Sequence, residues 1–112
     1  MKPARGGDAA VLEVFSALAD PTRLGLLDRI SVLGGATATA LASELPISRQ
    51  AVVQHLAVLD VVGLIESQRM GRERRYEVRT ARLAETAEWI ERRAEQWDAR
   101  LAAIKRLAES PR

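Results

Sequence analysis

The spacing of apolar and polar positions divides the 112-residue chain into segments of different period. Val11, Leu12, Phe15 and Leu18 recur every three to four residues, which predicts a first helix capped by Asp8 and a flexible stretch over residues 1–7. Asp20-Pro21 predicts the start of a second helix. The carboxylate accepts an orphan N–H, and a proline in the first turn forfeits no hydrogen bond. That helix runs to about Leu33 and ends at Gly34-Gly35. Gly25 inside it costs about 1 kcal/mol relative to Ala, so it is either tolerated or permits a close helix contact. Thr37 caps a short third helix through Leu45, stopped by Pro46, and Ser48 caps a fourth reaching about Val62, closed by Gly63.

After Gly63 the period shortens. Residues 64–68 and 75–78 partly alternate, and residues 69–74, with Gly71 among them, join them as a small β-hairpin. From Ala81 no glycine intervenes, nor any proline before Pro111, and one long helix over residues 81–109 is expected. Its apolar positions Leu83, Ala87, Ile90, Ala94, Trp97, Leu101, Ile104 and Ala108 are spaced 4, 3, 4, 3, 4, 3 and 4 apart, a heptad stripe. A helix of ~27 residues is ~40 Å long, more than the core of a small domain covers. The expected arrangement is a homodimer in which Leu83, Ile90, Trp97, Leu101 and Ile104 meet their symmetry mates. Glu88 and Arg92, four apart and off the stripe, read as a solvated pair. Trp89, also off the stripe, either packs on the first helix or lines a ligand pocket.

The order α-α-α-α-β-β-α describes one mainly helical domain with a small hairpin over residues 1–112, a winged helix-turn-helix. Its third helix, Pro46-Ile47 turn and fourth helix form the helix-turn-helix unit. At 100° per residue, Val52, Leu56 and Leu59 fall on one side of the fourth helix, and Gln50, Val53, Gln54 and Ala57 on the other. The second face carries no carboxylate. A glutamine amide matches the N6 and N7 edge of adenine, and a valine can meet a thymine methyl. Ser48 and Arg49, at the helix N-terminus, suit phosphate contacts. His55 flanks the apolar stripe and either touches DNA or packs at the core edge.

Composition then narrows the chemistry. With 47% hydrophobic and 29% charged residues the chain suits a globular fold, and at this length it has room for one core. No stretch has the length of a signal-peptide core or a membrane span, so a cytoplasmic protein without membrane partner is expected. The absence of cysteine removes disulfides, thiolate metal sites and cysteine nucleophiles. A single histidine serves six serines, and there is no glycine-rich phosphate loop or Asp-rich metal motif. No enzyme, cofactor or metal site is expected.

The net charge of +2 looks too small to name a partner, although the pI is about 9.7. By segment, residues 1–63 carry −1, residues 64–82 carry +3 and residues 83–112 carry 0. The positive excess therefore lies in the hairpin and its exit, where Arg69, Arg72, Arg74 and Arg75 surround Gly71. Beside a recognition helix such a run becomes a wing that reaches the DNA backbone. The competing reading is a winged-helix protein-interaction module. An acidic or strongly apolar fourth-helix face would favour it, and the chain has neither.

Residues 17–24 (ALADPTRL), 48–56 (SRQAVVQHL), 63–65 (GLI) and 72–76 (RERRY) together closely resemble the ArsR/SmtB family of bacterial transcriptional repressors. The resemblance covers residues 9–108. It implies a dimeric winged helix-turn-helix that binds an inverted-repeat operator in double-stranded DNA. It places base reading on Ser48, Arg49, Gln50, Val53, Gln54 and His55, and the basic wing tip on Arg72 and Arg74. Family members that sense arsenite or cadmium carry Cys-x-Cys on the third helix, which falls here on Thr37 and Thr39. A hydroxyl does not replace a thiolate for soft metals. Zinc sensors carry histidine and carboxylate ligands on the last helix, which here has no histidine. The effector is left open.

Overall fold

The computed structural model describes residues 6–110. The elements are α1 (Gly6–Leu18), α2 (Pro21–Leu33), β1 (Ala36–Thr37), α3 (Ala38–Ala42), α4 (Arg49–Val61), β2 (Ile65–Met70), β3 (Glu73–Val78) and α5 (Ala81–Glu109). The caps predicted at Asp20, Thr37 and Ser48 form. The Asp20 carboxylate accepts the N–H groups of Thr22 and Arg23 at 2.9 and 3.2 Å. Thr37 Oγ1 accepts from Ala40 N at 3.1 Å, and Ser48 Oγ from Ala51 N at 3.0 Å. Gly34, at φ +72°, terminates α2 in the left-handed region that glycine enters without strain. A Cβ on Gly25 would meet nothing within 4 Å, so this glycine is tolerated and no close helix contact depends on it.

Four details depart from the sequence expectations. First, α1 starts at Gly6, so Gly6 and Gly7 are helical. Residues 1–5 of the expected flexible stretch lie outside the described residues. Asp8 is consequently a first-turn residue rather than a cap, and its carboxylate is drawn across to α5. Second, α3 ends at Ala42 instead of Leu45. Third, the strands of the hairpin run on to Met70 and Glu73, which pair, leaving Gly71 and Arg72 as a two-residue turn. Gly71 at φ +65° supplies the left-handed residue this turn requires. Residues 69 and 74 read as loop because both are exposed and polar, but their backbones pair in the ladder. Fourth, Ala36 and Thr37 form an extra strand against Tyr76 and Arg75, giving an antiparallel sheet of order β1-β3-β2. Two residues are too few to show a period.

The core gathers Val14 from α1, Leu26 and Ile30 from α2, Leu41 from α3, and Val52, Leu56 and Leu59 from α4, closed by Leu64 and Ile65 at the start of the wing. Each such side chain contributes about 1.5–3 kcal/mol on burial. The stripe Val52/Leu56/Leu59 thus fixes the roll of α4 and leaves its other face outward.

α5 behaves differently. Thr86 is its one buried residue, and its hydroxyl bonds back to the carbonyl of Arg82 at 2.7 Å. The helix is held to α1 by Trp89, which meets Phe15 edge-on at 5.9 Å between centroids and donates Nε1–H to Asp8 Oδ1 at 2.8 Å. Arg93 lies over the Trp89 ring and donates to Asp8 Oδ2 at 2.8 Å. Of the two readings open for Trp89, packing on the first helix is seen, and the same residue also lines a cleft on α5. Beyond Arg93 the apolar stripe is bare: Trp97 is 58%, Leu101 63% and Ile104 61% exposed. The molecule measures 74 × 25 × 25 Å because this half of α5 projects from the body. Among the described residues no helix is long and apolar enough to cross a membrane.

Candidate nucleic-acid interface

The outward face of α4 and the inner edge of the wing enclose an open cleft of about 270 Å³. Arg49 and Val53 line it from α4, and Arg69, Arg72, Arg74 and Tyr76 from the wing, with Glu73 as its one carboxylate. Four guanidiniums therefore converge on one groove although they come from positions up to 25 residues apart. The convergence follows from the ladder. Arg69 is paired directly with Arg74, which puts both on one face of the hairpin, and Ser67 with Tyr76 continues that face toward the core. Arg74 donates to Ser67 Oγ at 3.1 Å. Arg69 and Arg72 make no hydrogen bond or ion pair among the described residues.

Arg49 is oriented from α3. Its Nε donates to Thr39 Oγ1 at 3.1 Å, and the residue lines the cleft. Thr39 and Thr37 are the two positions where the resemblance places thiolates in metal sensors. One of them anchors Arg49 and the other caps α3. Gln50, Val53 and Gln54 are exposed along α4. Ser48 spends its oxygen on the helix cap while keeping an O–H to donate. His55 is half-buried. The Asp20 carboxyl is held below the usual carboxylate range chiefly by the N–H donated by Arg23, opposed by partial burial and aided by the Thr22 N–H, the Arg23 charge and, least, His55.

Of the residues predicted from sequence, Arg49, Val53, Arg72 and Arg74 share the cleft. Gln50 and Gln54 lie exposed on α4 without lining the cleft, Ser48 is its exposed N-cap, and His55 is half-buried along the helix. Arg69, read from sequence as part of the basic run, also lines the cleft, and Tyr76 joins it although its sequence position gives it no such role. Strand alternation is the signal that finds them, once the ladder is known to extend through residue 69. Arg75, part of the same charge run, faces away and donates to the carbonyl of Gly34 at 2.9 Å.

The comparisons agree with this geometry. A helix-turn-helix domain family profile matches residues 18–68. An ArsR-like transcriptional regulator from Rhodococcus sp. RHA1 superposes with a TM-score of 0.84 at 45% identity, covering 96% of this chain and all of that one. The chain belongs to the ArsR family of transcriptional regulators. The transcriptional repressor SdpR of Bacillus subtilis (strain 168) is 32% identical over 69% of this chain and 84% of its own length. The probable mercury resistance operon repressor of Streptomyces lividans is 36% identical over 74% of each. The ArsR-family fold thus accounts for a helical body, a small antiparallel sheet and a long C-terminal helix. Its named relatives are transcriptional regulators rather than enzymes.

Proposed function

We propose that this ArsR-family protein is a repressor that binds an inverted-repeat operator as a homodimer. The observation that carries the reading is the cleft between α4 and the wing, where Arg49, Arg69, Arg72 and Arg74 meet one carboxylate. α4 enters the major groove with Gln50 and Gln54 on adenine edges and Val53 on a thymine methyl. Ser48 and Arg49 hold the phosphate at its N-terminus, His55 steadies the flank of the helix, and Arg72 and Arg74 follow the backbone from the wing.

Dimerisation is supported by the exposed stripe of α5. Leu83, Ile90, Trp97, Leu101 and Ile104 lie on one face of a helix that its own body leaves uncovered. Two protomers joined there present two recognition helices to half-sites one turn, ~34 Å, apart. The name of the Streptomyces relative ties that protein to mercury resistance. This chain has no cysteine to offer a soft metal, so its signal is of another kind.

The test is a mobility-shift titration on the DNA upstream of the coding sequence. The expected result is a shift on a fragment bearing an inverted repeat, lost when one half-site is scrambled and steeply weakened by salt. Equal binding to scrambled DNA would overturn sequence-specific repression.

A further inference from the structure

We propose that a cleft on α5, beside the dimerisation stripe, is a binding site for a small extended polyanion such as a di- or tricarboxylate. The cleft is about 440 Å³ and is lined by Asp8, Trp89, Arg92, Arg93, Gln96 and Arg100. Three guanidiniums against one carboxylate leave it a net charge of +2. Arg100 and Gln96 make no hydrogen bond or ion pair among the described residues, and Arg92 has only a loose pairing with Glu88 at 3.9 Å. Arg93 and Arg100 stand one position before the stripe residues Ala94 and Leu101, so the cleft opens along the flank of the stripe and not beneath it.

The protein already displays the chemistry of recognition in this cleft. Its own Asp8 carboxylate is gripped by an indole N–H and a guanidinium, both at 2.8 Å. An incoming carboxylate finds the same kind of donor in Arg100 and the Gln96 amide, two turns and one turn along the helix. Arg93 and Arg100 are seven residues apart, about 10 Å along the axis, which suits a ligand with separated charges better than one compact oxyanion. A ligand that reaches Arg93 competes with Asp8, and Asp8 is the polar tie between α1 and α5. Occupancy therefore loosens the seat of α1 on α5. Treating this ligand as the signal of the repressor rests on the function proposed above; the existence of the site does not.

Titration calorimetry without DNA tests the site, with citrate and inorganic phosphate as probes at matched ionic strength. Saturable citrate binding is expected, with one citrate per protomer. Arg100→Ala weakens it about tenfold or more, the loss expected for one charged hydrogen-bonding partner. Asp8→Asn tightens it by releasing Arg93. Arg100 is exposed and makes no hydrogen bond or ion pair among the described residues, so its variant is expected to fold, and circular dichroism melts check this for both variants. Heat that does not saturate, or equal binding by Arg100→Ala, overturns the site. Phosphate binding as tight as citrate overturns the extended ligand. A separate operator shift without citrate tests the repressor reading alone. A citrate complex that leaves operator affinity unchanged refutes the role as signal.

Discussion

Arg75 Nη2 donates to the carbonyl of Gly34 at 2.9 Å, tying the middle of β3 to the C-terminal end of α2. A cation there also meets the negative end of the helix dipole. A Cβ on Gly35 would overlap the Arg75 guanidinium, and Gly35 sits at φ +136°, so glycine both makes room for the tie and adopts the backbone that carries it. We expect Gly35→Ala and Arg75→Ala each to lower stability by about 1–2 kcal/mol in urea unfolding, since the guanidinium is partly solvated. Because Arg75 is outside the cleft, DNA affinity should fall through wing placement without a change in base preference. A stable Arg75→Ala protein with altered sequence choice would contradict this.

Removing cleft arginines has a different signature. Arg72→Ala and Arg74→Ala should each reduce the slope of log affinity against log salt by about 1, and Arg69→Ala should do the same. Gln54→Ala should instead relax base preference, at about 1–3 kcal/mol for one position per half-site. Fluorescence anisotropy over a salt series separates the two. A uniform loss with Gln54→Ala on all sequences would remove it from base reading.

The α5 stripe predicts an assembly defect. Trp97→Glu combined with Ile104→Glu should yield monomers in sedimentation velocity and abolish tight operator binding. Both side chains project from the body, so the protomer itself should retain its thermal transition. A parent protein that sediments as a monomer would exclude the stripe as the dimer contact.

Acid should destabilise the fold in a specific window. Asp20 is held below its usual pKa chiefly by the Arg23 N–H, and Glu44 by hydrogen bonds and charge from Arg29, which grips both of its oxygens. A depressed folded pKa means that the stabilisation is complete above the unfolded value of ~4 and is lost as pH falls through the lower folded value. Thermal melts should therefore fall below about pH 4. The double variant Asp20→Asn, Glu44→Gln, in which asparagine still caps α2, should show a flatter acid limb. An unchanged limb would assign acid sensitivity to other carboxylates.

How much of this was legible in the sequence depends on the range of each interaction. The Asp20, Thr37 and Ser48 caps were readable because each bonds within three residues of itself. The Val52/Leu56/Leu59 stripe was readable because helical period and burial coincide. Asp8 was misread as a cap because the pull of Trp89 and Arg93 comes from more than eighty residues away. Arg74 and Arg75 look alike in the charge run, yet adjacent strand residues face opposite ways, and one enters the cleft while the other binds Gly34. Thr39 gave no sign of orienting Arg49, since that bond exists only once α3 and α4 are packed.

The bare outer half of α5 has a consequence for dosage. In the proposed dimer, a protomer whose stripe is covered by pairing forms its DNA-competent species by mass action. Below the dimer dissociation constant, operator occupancy then rises with the square of protomer concentration. Halving the protomer supply in that regime would remove about three quarters of the proposed dimer.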